Sequence, residues 1–72
     1  MTTKIVVTID KLLPGDIAID RDGAVNVVNK VESSKIYPNF IDIHYNTTFE
    51  GETFTSKLTM PKQTTWSVIR PN

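Results

Sequence analysis

The chain reads as a small all-β protein, and three observations carry that reading. Val, Ile and Thr make up about a third of its 72 residues, and their branched Cβ favours extended backbone over helix. Apolar and polar residues alternate with a period of two in short runs, over 4–9, 17–19, 24–32, 40–46, 52–58 and 65–70. Clusters of Pro, Gly, Asn and Asp separate the runs. Together they predict one domain, residues 1–72, as a small barrel of five to six strands, with an N-terminal strand at 4–9 and the barrel itself at 12–70.

Length and composition bound what such a chain can do. A domain of this size buries only about 60% of the surface it exposes when unfolded. The chain has no cysteine, so neither disulfides nor thiolate metal ligation can reinforce its core. Eight basic and eight acidic side chains cancel, leaving no long-range field to gather a polyanion or an anionic membrane surface. General nucleic-acid binding is therefore disfavoured. The opening residues Met1 to Val7 are too short an apolar run for a signal peptide, and no stretch approaches a membrane span. The expectation is a soluble, cytoplasmic protein without membrane contact. Asn46-Thr47-Thr48 has the form of a glycosylation sequon, which matters only on a secretory route.

In chain order, Lys4 to Ile9 alternates and reads as an edge strand. Asp10 to Leu13 has room for one helical turn before the pre-proline restriction at Leu13 ends it. Pro14 and Gly15 suit a tight turn, after which Ile17 and Ile19 point inward and Ala18 and Asp20 outward. Asp22-Gly23 is the pair that type I′ hairpins prefer. The returning strand carries Val25, Val27 and Val31 inward, and Val28 breaks the alternation, which predicts a bulge near Val28-Asn29. Residues 33–39 form the longest loop. Phe40 to Asn46 places Ile41, Ile43 and Tyr45 inward, 47–51 turns, and Glu52 to Leu58 returns with Phe54 and Leu58 inward. Pro61 suits a 3₁₀ turn within 59–64, before a last strand with Trp66 and Val68 inward. With Ile5 and Val7, these inward residues other than Tyr45 make the expected core.

The order of elements, opened by Leu13-Pro14-Gly15-Asp16 and with Asp22-Gly23 in the first hairpin, resembles the SH3-like small β-barrels from about Leu12 to Arg70. It is similar to the short single-domain versions encoded by bacteriophages and some bacteria, many without an assigned role. The resemblance implies a binding module, an adaptor or inhibitor acting on another protein, in a phage on a protein of the host cytoplasm. Gly15-Asp16 and Gly23 also resemble the start of a KOW element, which would place Lys30, Lys35, Lys57 and Lys62 on phosphates and Tyr37 against a base. The further glycine and the basic residues that usually follow are lacking. So is the long acidic, aromatic first loop of peptide-binding SH3 domains.

Catalysis would have to rest on His44, the single histidine, oriented by Asp42 two residues earlier on the same strand face. Nothing selects a nucleophile, since there is no Gly-x-Ser-x-Gly elbow, no cysteine and no glycine-rich helix start. A solvated His beside an Asp is the plainer expectation, and the chain is not read as an enzyme. Asp16, Asp20 and Asp22 have no recognised ligand spacing, and Asp20-Arg21-Asp22-Gly23 lacks the downstream Glu of a calcium loop. No metal or cofactor is expected. Binding is better supported. In an SH3-like barrel the 33–39 loop and the 59–64 segment share one end, which would assemble Ile36, Tyr37, Pro38, Met60 and Pro61 into an apolar patch rimmed by Lys35, Lys62 and Gln63. Tyr37 then either anchors a protein partner or folds back to cap the barrel. A third function, self-association as a homodimer through the free edge at 4–9, follows from the unpaired backbone there.

Overall fold

In the computed structural model, which describes residues 2–71, six antiparallel strands form one sheet. They are β1 (Thr2–Thr8), β2 (Ile17–Ile19), β3 (Val25–Ser33), β4 (Phe40–Phe49), β5 (Glu52–Pro61) and β6 (Thr65–Pro71), in the spatial order β1-β6-β2-β3-β4-β5. The all-β class is as expected. Closure is not, because β1 pairs with β6 alone and β5 with β4 alone, leaving two free edges among the described residues. The sheet still curls. β5 and β6 lie apart in the ladder yet are joined through residues 62–64, where the Thr64 amide donates to Pro61 O (3.0 Å) and the Ile9 amide to Thr64 O (2.9 Å).

Local chemistry sets the turns. Leu13 to Asp16 closes with the Asp16 amide donating to Leu13 O (3.0 Å), and Gly15, at φ +94°, takes the positive φ that the residue after Pro14 needs in such a turn. The β2–β3 hairpin forms, but not through a two-residue type I′ turn. The Gly23 amide donates to Asp20 O (3.1 Å), and only Gly23 has a positive φ (+88°) there. This is a type I turn followed by a left-handed glycine. The Asp20 side chain fixes it by accepting the Asp22 and Ala24 amides at 3.1 and 3.0 Å. The expected bulge is present, with the β3–β4 register shifting between Val28 and Lys30. The 3₁₀ turn occurs at Ile9–Lys11 instead of before the last strand. Pro61 is the final residue of β5, and its carbonyl opens an ordinary turn into β6.

The core has the expected phase on β1, β4 and β6 but differs from it on β2 and the first part of β3. Ile9, Leu12, Val28, Ile41, Ile43 and Val68 are buried, with Ile5, Val7, Ala18, Val31, Tyr45, Met60 and Trp66 packed against them. β2 therefore turns Ala18 and the buried Asp16 inward, and Ile19, 56% exposed, lies on the convex face. The pairs Ile17↔Val27 and Ile19↔Val25 carry Val25 and Val27 to that face too, while Val28 is the core residue of β3. Phe54 and Leu58 do face inward, opposite Thr47 and Ile43, yet remain 53% and 38% exposed because nothing pairs with β5 on its far side.

The cause of the inverted phase is Asp16. Its carboxylate accepts the Leu13 amide (2.8 Å) and both Arg70 Nε (2.8 Å) and Nη2 (2.7 Å), and Arg70 Nη2 also reaches Lys11 O (3.3 Å). A carboxylate 1% exposed is tolerable only with such a partner set.

Val28→Ala should cost about 2 kcal/mol, as removal of core methyls does, while Ile19→Thr should stay within about 0.5 kcal/mol in urea titrations. Arg70→Met, which strands the Asp16 carboxylate, should cost about 3 kcal/mol. The Arg70 hydrogen bonds hold the Asp16 carboxyl below its ordinary 3.8, against the opposing effect of burial and with help from the Leu13 amide. A folded-state value depressed in this way contributes stability that is complete above the unfolded value and lost as pH falls through the folded one. The wild type should therefore weaken steeply below about pH 4, and Asp16→Asn, already weakened at neutral pH, should show a flatter acid limb.

Candidate functional site

The loop that carries Ile36 and Tyr37 does lie beside the β5–β6 connection, since the Lys62 amide donates to Asn39 O (3.0 Å). Ser34 Oγ shapes the loop by accepting the Ile36 and Tyr37 amides at 3.2 and 3.1 Å. The expected patch is nevertheless divided. Met60, opposite Ile41, points to the concave face and packs on the core. Lys35, Ile36 and Tyr37 instead line a groove of about 300 Å³ with Glu32, Asp42 and Lys57 on the convex side. Pro38, Lys62 and Gln63 are exposed and do not line it. Tyr37 is 55% exposed, with its ring 5.7 Å from that of Phe40, so it is not a buried cap.

His44 sits on the same convex face, between Lys30 of β3 and Lys57 of β5. Its Nε2 contacts Glu32 Oε2 at 2.7 Å, not Asp42, which accepts Thr59 Oγ1 at 2.6 Å. The His44 hydrogen bond, more than the nearby Lys30 ammonium, holds the Glu32 carboxyl below its usual range. Among the described residues no three His, Cys, Asp or Glu side chains are grouped to hold a metal ion.

The larger hollow is on the concave face, where β2 and β6 part. β2 meets β6 only at Ile17↔Ile69 and then parts from it. The opening between Ile19–Asp20 and Thr65–Ser67 leads into a cleft of about 450 Å³, lined further by Ala18, Asn26, Tyr45, Leu58 and Trp66. Trp66 stands edge-on to Tyr45, with ring centroids 6.4 Å apart. Asn26 is pinned, donating Nδ2 to Ala18 O (3.0 Å) and accepting Thr47 Oγ1 (2.7 Å). Asn26 is thus already satisfied, and the cleft offers a ligand the apolar and aromatic walls of Tyr45, Leu58 and Trp66, with Asp20, Thr65 and Ser67 at its rim. Sequence reasoning assigned Leu58 and Trp66 to a closed core and turned Tyr45 inward, and so missed the cleft. No local signal could have found it, because the sequence does not show that β5, which carries Phe54 and Leu58, has only one neighbour.

Searches found no family model that matches the chain, and no curated protein or solved structure that is significantly similar to it. None of the described helical residues forms a span long and apolar enough to cross a membrane.

Because Tyr37 is more exposed than buried, Tyr37→Ala should lower stability by about 1 kcal/mol, the worth of a partly exposed aromatic pair, and not the 3 kcal/mol or more of a buried ring. A thermal melt of that single variant checks it.

Proposed function

We propose that the chain is a non-enzymatic binding module that takes an extended segment of another protein along the free edge of β5. One observation carries this reading: the unpaired backbone of β5 borders an open cleft whose walls are Leu58, Tyr45 and Trp66. An exposed strand edge supplies main-chain hydrogen bonds to an added strand, and an adjacent apolar hollow selects its side chains. Aromatic residues such as Tyr45 and Trp66 are the usual anchors of such contacts. The resemblance to phage-encoded small barrels suits an adaptor or inhibitor of a host protein.

The test is selection from a library of random linear peptides displayed on beads. Peptides recovered with the wild type should shift the emission of Trp66, the only tryptophan. Leu58→Asp, folded by circular dichroism, should bind them roughly thirtyfold less tightly, the loss of about 2 kcal/mol expected at an anchor. Peptides that bind Leu58→Asp as tightly, or that leave Trp66 unmoved, would place recognition elsewhere.

A second reading has its own observation. Lys35 and Lys57 share the convex groove with Tyr37, and Lys30 lies across from His44 in the same sheet. That suits a single-stranded nucleic acid, with Tyr37 stacking a base. Glu32 and Asp42 in the groove oppose it. Steep weakening of oligonucleotide binding between low and moderate salt, abolished by Lys57→Glu, would favour it over the peptide.

A further inference from the structure

At the turn end of the concave face lies a separate hollow of about 210 Å³, lined by Asp20, Asp22, Ala24, Thr47, Phe49 and Phe54. Phe49 and Phe54 remain 38% and 53% exposed, although their positions opposite Glu52 and Thr47 face inward. Asp20 is fixed by the two amides its Oδ1 accepts. Among the described residues the ion pairs are Lys30–Glu32, His44–Glu32 and Arg70–Asp16, so Asp20 and Asp22 have no cation, and Arg21 on the same turn is exposed.

Charge is sorted along the strands of this neutral chain. The row Val25↔Thr48↔Thr53 places the β2–β3 and β4–β5 turns at one end. That end carries Asp20, Asp22, Glu50 and Glu52 against Arg21 alone, whereas at the other the loop that carries Lys35 is bonded at Asn39 to the Lys62 amide. The exposed rings therefore sit in a negative local potential. An anionic ligand group is repelled there, and an apolar one strips water from carboxylates without replacing it. A guanidinium satisfies both features, stacking on a ring face and pairing with carboxylate oxygens in its own plane.

We propose that this hollow takes the guanidinium of an arginine in the polypeptide bound by the cleft. The choice of a polypeptide rests on the function proposed above; the chemistry of the hollow does not. The two hollows meet at Asp20, which lines both. On β5, Phe54 and Leu58 lie on one face and are separated by two side-chain repeats. A strand laid along that edge therefore places its arginine about four residues from the apolar group held at Leu58 and Trp66.

The proposal is tested by titrating ¹⁵N-labelled protein with N-acetyl-arginine methylamide and with its neutral isostere, N-acetyl-citrulline methylamide. Arginine should produce saturable shifts at amides 20–24 and 49–54 in the millimolar range, weakened severalfold by raising salt, and citrulline should not. Phe54→Ala and the exposed-turn variant Asp22→Asn should each weaken the response severalfold, while Asp10→Asn, in the distant 3₁₀ turn, should not. Equal shifts with citrulline, shifts centred elsewhere, or no saturation overturn it. So does salt-sensitive self-association in sedimentation velocity that Phe54→Ala abolishes, because the occupant would then be the lysine-bearing end of a second copy. If arginine binds here while the peptide library yields nothing, the hollow stands and the function proposed for the cleft falls.

Discussion

The contact between Asp16 and Arg70 joins residues 54 positions apart, and much of the architecture depends on it. It ties the Leu13–Asp16 turn to the last strand, and the Gly15 and Asp16 backbones are bonded in turn to Val28, through Gly15 N to Val28 O (2.8 Å) and Val28 N to Asp16 O (2.9 Å). Val28 is where β3 bulges and changes which residues face the core. One ion pair thus sets the start of β2, the position of β6 beside it and the phase of β3. A domain of this length has only about 4–11 kcal/mol of total stability, so a single such contact is a large fraction of what holds it together.

The strands were legible in the sequence because period-two alternation and turn residues are local signals. The faces were less so. Ile17 and Ile19 outweigh Ala18 on any hydrophobicity scale, so alternation alone turns them inward. What reverses them is a long-range partner for Asp16 that no local window contains. Val28 illustrates the same limit from the other side: the residue that breaks the pattern is the one that fills the core, because the bulge at Asn29 lets Val28 and Val31 share a face. Tightness of the second hairpin was also hidden. Glu50 and Gly51 both adopt positive φ, which lets β4 and β5 run to the tip instead of ending in a loose loop.

The candidate sites follow the same division. Neighbourhood of the 33–39 loop and the β5–β6 connection was readable from element order. Which side of the sheet each residue faces was not, and Met60 went to the core while Tyr37 stayed over the convex face. The concave cleft was invisible for a different reason. Inward-facing aromatics mark a core only if the sheet closes over them, and closure depends on whether a β5 partner exists. Asp20 and Asp22 were correctly read as turn chemistry, since Asp20 does cap its turn. Their approach to Phe49 and Phe54 comes only from the pairing of two hairpins.

An open concave face costs a small domain stability that closure would supply. Burying the exposed parts of Phe54 and Leu58 would contribute roughly 1 kcal/mol each, large against so small a total. The alternative of polar residues at these inward positions would remove the penalty without altering the strands, because Thr and Ser serve equally well as extended residues on the neighbouring positions of β5. Apolar side chains at the mouth are therefore not required by the fold. Beside them Asn26 is satisfied internally, held by Ala18 and Thr47. Uncovered apolar walls beside the free edge of β5, which offers backbone bonds to an added strand, are what the proposed binding of another chain rests on.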